Sequence, residues 1–195
     1  RQGRLNDEGS AYSVQPAWWV RFDQFQQGVG ALGGGNVALL AGGKVENVSA
    51  SAPTQARMAS PTTDASALVK SGGGVVWVET LGDVLGGQYY ADNGGIVIRA
   101  GGKLDGGQLV SGKPLYTVLA LGDAQAQVRA NGDANIQAMI NPHLVVQASR
   151  NPGGTGNNNI TTTGNITSSS TLWSLFSTYS EATAVAVASL GGNVV

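Results

Sequence analysis

The sequence predicts an all-β solenoid, a parallel β-helix, with one short amphipathic helix on its flank. Three observations carry that expectation. First, one pattern occurs twice in residues 73–107: Gly74 leads through Val76 and Val78 to Gly82-Asp83-Val84, and Gly94 leads through Ile96 and Ile98 to Gly102-Lys103-Leu104. The two starts lie about 20 residues apart, a spacing expected of stacked repeat units. Second, apolar residues alternate at period two, which puts Val76 and Val78, or Ile96 and Ile98, on one face of a strand. Third, glycines stand at fixed offsets, where a corner needs positive φ or close backbone approach. Strands this short cannot bury a face alone and must stack on their copies. A β-sandwich with glycine turns is the alternative, but it does not require the same spacing inside each strand pair.

The unit recurs elsewhere. Residues 35–45 are a third copy. Residues 121–136 are a fourth, with Ala124 at the first glycine position, then Ala126, Val128 and Gly132-Asp133. Gly164-Asn165-Ile166-Thr167 and Gly192-Asn193-Val194-Val195 read as the openings of two more.

The chain divides in order. Residues 1–32 are an N-terminal flank. In it, Trp18, Phe22, Phe25 and Val29 share one helical face, with Pro16 at the start and Gly28 at the stop. This helix is expected to pack its aromatics on the solenoid. A sugar-stacking platform at Trp18 and Trp19 is the functional alternative. Residues 33–148 are the coils, with a loop excursion at 51–70 marked by Pro53, Pro61 and a loss of period. Residues 149–171 are a polar, low-complexity loop rich in Asn, Ser and Thr. Residues 172–195 return to apolar character; Leu172 to Tyr179 suit a short helix or a packed cap, and Ala184 to Ala188 alternate again. The unfinished coil at Val195 is an open edge. With Arg1 at the start and no signal peptide, it suggests an internal segment continuing beyond the chain end.

Composition narrows the function. Of 195 residues, 12% are charged and the formal net charge is −1. That balance gives no electrostatic case for a nucleic-acid partner. No apolar run is long enough for a membrane-spanning helix. The absence of cysteine excludes disulfides, thiol nucleophiles and thiolate metal sites.

Catalytic chemistry finds little support. His143, the single histidine, stands beside Pro142 and cannot build a histidine-rich metal site. No G-x-S-x-G nucleophile elbow is present. Asp83, Asp105, Asp123 and Asp133 follow or flank coil glycines, and clustered carboxylates there suit a polysaccharide-cleaving enzyme. Lys44 and Lys103, however, occupy the repeat position of Asp83 and Asp133, which reads as a solvated corner. The expectation is therefore no enzyme, with no catalytic, cofactor-binding or metal residue assigned and no cofactor required. The sequons at Asn47, Asn159 and Asn165 arise easily in a chain rich in Asn, Ser and Thr.

Several segments resemble large filamentous-haemagglutinin-like exoproteins. They are Trp18-Trp19-Val20-Arg21-Phe22, residues 25–37 (FQQGVGALGGGNV), Gly86-Gly87-Gln88-Tyr89-Tyr90, Leu119-Ala120-Leu121-Gly122-Asp123-Ala124 and Asn141-Pro142. The resemblance runs from about Trp18 to Val195 and is most specific at 25–37. It implies a right-handed β-helix exported from a Gram-negative bacterium by two-partner secretion, through a dedicated outer-membrane transporter. It also implies a secreted or cell-surface location and a role as adhesin, biofilm-matrix protein or toxin-bearing stalk. The leading expectation is a structural and adhesive rod segment that meets a glycan or protein receptor on a host or bacterial surface. Residues 51–70 and 149–171 are the candidate display elements; Trp77, Tyr89 and Tyr90 are candidate contacts for a glycan or a neighbouring rod, with core burial of at least one of them the alternative. A self-assembling fibre subunit, associating into filaments through its open end, is the alternative; a polysaccharide-active enzyme is the third.

Overall fold

The computed structural model describes residues 28–31, 33–58, 68–110, 113–141, 159–160, 166–167 and 179–195. These residues are all-β, and among them there is no helix. In chain order the strands begin with β1 (Gly28–Gly30), β2 (Val37–Ala41), β3 (Val45–Glu46) and β4 (Ser49–Ala52). An antiparallel pair follows, β5 (Thr54–Met58) with β6 (Leu68–Gly72). Then come β7 (Gly74–Thr80), β8 (Val84–Leu85), the long β9 (Gly87–Ala100) and β10 (Leu104–Asp105). A second antiparallel pair is β11 (Leu109–Val110) with β12 (Lys113–Pro114). The long β13 (Thr117–Ala130) and β14 (Ala138–Ile140) precede a third such pair, β15 (Asn159–Ile160) with β16 (Ile166–Thr167). β17 (Ala184–Ser189) is the last strand.

Outside those three pairs every ladder is parallel, and the registers fall into three rows. The first row aligns Val37, Val76, Ile96, Ala126 and Val185 across β2, β7, β9, β13 and β17. The second aligns Val45, Val84 and Leu104, and continues through bridges to Ala134 and Val194. The third aligns Ala50, Tyr89, Leu119 and Met139, with Gly28 paired to Ser49 at its start. β9 and β13 each serve two rows: their first halves close one unit and their second halves open the next. The shortest step between units, from Val76 to Ile96, carries no added segment. Among the described residues each of the three longer steps contains one antiparallel pair, and the parallel register is kept on either side of it.

Period-two alternation decides the core. Val76, Val78, Ile96, Ile98, Ala126 and Val128 point inward and are buried. Val84, Leu104 and Ala134 meet them from the second row, and Ala50, Tyr89 and Leu119 from the third. Full burial of one such Val, Leu or Ile side chain contributes about 1.5–3 kcal/mol. The two ends differ. Val37 and Val45 of the first complete unit are buried, whereas Val185 and Val194 of the last are 41% and 57% exposed.

Polar side chains tie the corners together. The Thr80 hydroxyl donates to the Gly43 carbonyl of the unit before it and accepts the Gly82 N–H. Ser189 repeats the device, donating to Gly132 O at 2.8 Å and accepting from Gly192 N at 2.9 Å. Gly94 shows why glycine opens a unit. Its φ is 140°, and a Cβ there would lie 2.2 Å from the Gly74 carbonyl oxygen.

Several expectations need correction. The flanking helix, expected from Pro16 to its Gly28 stop with Val29 on its inner face, lies mostly outside the described residues. Gly28 and Val29 themselves are strand β1, because they pair in parallel with Ser49 and Ala50. Ser51 and Ala52 belong to the stack, paired with Tyr90 and Ala91, so the expected excursion at 51–70 begins after them and is an antiparallel strand pair. Of the opening expected at Gly164 only Ile166–Thr167 is described, and it pairs antiparallel with Asn159–Ile160 rather than joining the parallel ladders. Gly192-Asn193 is not an opening either. It stands at the corner position of Gly132-Asp133, and Val194 bridges Ala134, so the last unit begins at Ala184. The rest of the expected loop at 149–171, and residues 172–178, lie outside the described residues.

Candidate functional site

The second and third outward positions of each first-row strand carry the chemistry of one exposed face. Alternation turns Trp77 and Glu79 outward because Val76 and Val78 turn inward. Register sets Trp77 beside Ala38 and Val97, and Glu79 beside Leu40 and Arg99. On the next strand Gln127 adjoins Val97 and Arg129 adjoins Arg99.

Three of these side chains interlock. The Trp77 indole Nε1 donates to Glu79 Oε2 at 3.0 Å. Arg99 Nη1 lies 3.6 Å from the same oxygen, and its Cζ stands 5.6 Å from the Trp77 ring centroid. Trp77 is still 42% exposed. The Arg99 and Glu79 side chains are 57% and 43% exposed, so this ion pair adds little stability and mainly orients the groups. An exposed cation–π contact contributes about 0.5–1 kcal/mol. The result is an indole with one ring face under a guanidinium, beside a second guanidinium.

The carboxylates expected at the corners do different work. Asp83 Oδ1 accepts the Lys103 backbone N–H at 2.8 Å, and Asp133 Oδ1 accepts the Asn193 N–H at 2.7 Å. The two aspartates at this repeat position therefore link units through backbone N–H groups, whereas Lys44 and Lys103 pair with Glu46 and Asp105 of their own units. Asp105 accepts from Gly106 N at 2.8 Å and Asn135 Nδ2 at 3.1 Å and pairs with Lys103 Nζ at 3.2 Å. Burial pushes its carboxyl up, but these three partners outweigh burial and hold it below the ordinary value. Asp123 accepts from Ser180 and Thr183. No group of three or more His, Cys, Asp or Glu side chains suited to a metal exists among the described residues. His143, Trp18 and Trp19 lie outside the described residues.

The aromatic candidates separate cleanly. Tyr89 is fully buried, its hydroxyl donates to Gly86 O at 3.1 Å, and burial pushes its phenol well above the ordinary value. Tyr90 is half-buried. Trp77 alone of the three is exposed. Of the sequons, Asn47 has φ 56° and its Nδ2 reaches Gln108 O at 3.5 Å, so its amide faces a packed corner. Arg99 and Arg129 were missed by sequence reasoning. Aligning the copies on Val78, Ile98 and Val128 puts Glu79, Arg99 and Arg129 at one repeat position, which was the available signal.

This arrangement defines a class by architecture: an all-β protein with parallel strands, bearing an exposed polar-aromatic face. Compared with protein-family models, with curated proteins and with solved structures, the chain matches none.

Proposed function

We propose that this chain is a right-handed parallel β-helix segment acting as a structural and adhesive rod of a secreted bacterial surface exoprotein. The observation that supports it most is the first-row register, which carries Val37, Val76, Ile96, Ala126 and Val185 in line despite unequal steps between them. A ladder of this kind resists extension through many parallel hydrogen bonds, while its excursions and its exposed face meet other surfaces. The resemblance to filamentous-haemagglutinin-like exoproteins adds export through an outer-membrane two-partner-secretion transporter, a place at the cell surface of a Gram-negative bacterium, and a glycan or protein receptor. The reading assigns no catalysis, and the bonds that occupy Asp83 and Asp133 support that part of it.

The test is retention under flow. Beads coated with the purified chain are passed over glycan-bearing and cell-derived surfaces. Retention above that of uncoated beads supports adhesion; equal retention on every surface removes the adhesive half of the proposal.

A self-assembling fibre is the second reading. The exposure of Val185 and Val194 in the last unit favours it. Sedimentation over a concentration series decides it: growth into filaments supports the fibre, and a constant mass excludes it.

A further inference from the structure

We propose that the exposed face from Trp77 to Arg129 binds a carboxylated polysaccharide, a polymer rich in uronic acid; the inference rests on the adhesive reading above and names its ligand.

The charge pattern comes first. Arg99 and Arg129 are register partners on neighbouring strands. Like charges directly across a ladder repel. Glu79 offsets Arg99 from one side only, at 3.6 Å. The other neighbour of Arg129 is Ala188, which carries no charge. Among the described residues Arg129 has no ion pair. The face therefore holds two guanidiniums and one carboxylate, on a chain whose formal net charge is −1. A ligand carboxylate beside Arg129 supplies the missing anion, and a guanidinium takes it as a two-pronged fork.

The indole separates a glycan from a merely acidic partner. Arg99 covers one side of the Trp77 ring. The register neighbour on the other side is Ala38, which is itself exposed and too short to cover an indole. Trp77 is accordingly 42% exposed. An open indole face takes the apolar C–H face of a sugar ring, leaving the sugar hydroxyls to polar neighbours. Gln127, exposed and one strand away, offers an amide donor and acceptor for those hydroxyls.

Spacing fixes the size. Strand separation of about 4.8 Å and a rise of about 3.3 Å per residue put Trp77 and Arg129 roughly 12 Å apart at the backbone. One sugar ring does not span that gap, whereas a short run of a polymer does. The register places these side chains on successive strands, which suits a chain laid across them.

The experiment is calorimetric titration of the purified chain with oligogalacturonate, with the same oligosaccharide after its carboxyls are reduced to alcohols, and with poly-glutamate of matched charge. Oligogalacturonate is expected to bind, and carboxyl reduction to weaken binding by about tenfold or more. Trp77→Ala and Arg129→Gln are each expected to weaken it by about tenfold, with Arg129→Lys intermediate because it keeps the charge and loses the fork. Lys44→Ala, at a corner off this face, serves as control and leaves binding unchanged. Thermal melts of all four variants check that each is folded. The proposal is overturned if oligogalacturonate does not bind, if the reduced form binds equally, if neither Trp77→Ala nor Arg129→Gln matters, or if poly-glutamate binds equally well and Trp77→Ala has no effect on either ligand. Bead retention under flow without uronate binding overturns this inference and leaves the adhesive reading standing. Absence of both removes both.

Discussion

Asp83 and Lys103 are joined across two units by a bond between the Asp83 carboxylate and the Lys103 backbone N–H, at 2.8 Å. Asp133 and Asn193 repeat it at 2.7 Å. A corner breaks the regular ladder, so its N–H groups need other acceptors. At these two corners the carboxylate supplies one and binds its unit to the following one. Asp83→Ala is expected to lower stability by about 1–2 kcal/mol, since hydrogen bonds to charged groups are the stronger kind and this one is partly solvated. Asp83→Asn keeps an oxygen acceptor and is expected to lose less. Urea unfolding of the three proteins checks the order.

Strand β10, just after the corner, carries a pH dependence. Asp105 has its carboxyl held below the ordinary value of 3.8. A carboxyl lowered on folding contributes stability that is complete above the unfolded value and is lost as pH falls through the folded one. The stability gap between the wild type and Asp105→Asn is therefore expected to be largest near neutral pH and to close at acid pH below that value. Urea midpoints at about pH 7 and about pH 2 test it. A gap that widens in acid contradicts the assignment.

Tyr89 tests the core of the third row. Its hydroxyl is buried and donates to Gly86 O at 3.1 Å. Tyr89→Phe keeps the ring and leaves that carbonyl short of a donor, with an expected cost of about 1 kcal/mol. Spectrophotometric titration is expected to show one tyrosine that ionises only when the protein unfolds in base, and to lose that step in Tyr89→Phe.

The parallel stack was legible because its evidence is local. Period-two alternation named Val76, Val78, Ile96 and Ile98 as one face, and the same parity turns Trp77 outward. Ala124 was placed at the glycine position from spacing alone, and its register partner is Gly94. Two openings misled for a physical reason. Gly-Asn followed by an apolar residue occurs at the start of a unit, as in Gly35-Asn36-Val37, and also at a corner, as in Gly192-Asn193-Val194. Only the strand before it distinguishes the two, and Ala184–Ser189 fills that role for Gly192. Gly28 and Val29 continue an aromatic helical period, yet their pairing with Ser49 and Ala50 is tertiary and leaves no local mark. The Arg99–Arg129 pair was legible from the copies that end in Ile98 and Val128, but it lies on their outward parity, which the search for a core face passes over.

The excursions predict modularity. Ala52 and Gly74 of one corner correspond to Ala91 and Gly94 of the next, where only Asp92-Asn93 intervenes. Replacing residues 53–73 by Asp-Asn is expected to give a folded protein with an unchanged far-ultraviolet β signature and a thermal midpoint within a few degrees of the parent. Loss of folding would show that the β5–β6 pair is part of the stack's stability.

The central claim is the register itself, and disulfide trapping reads it directly in a chain that has no cysteine of its own. Val97 and Gln127 are register partners on β9 and β13. Parallel neighbours about 4.8 Å apart lie within the range of Cα separations that a disulfide spans, whereas a two-residue slip takes the pair to about 8 Å, beyond it. Under mild oxidation Val97→Cys with Gln127→Cys is expected to cross-link rapidly within the monomer, and Val97→Cys with Gln125→Cys is not. Preferential trapping of the slipped pair, or no trapping of either, would contradict the stack.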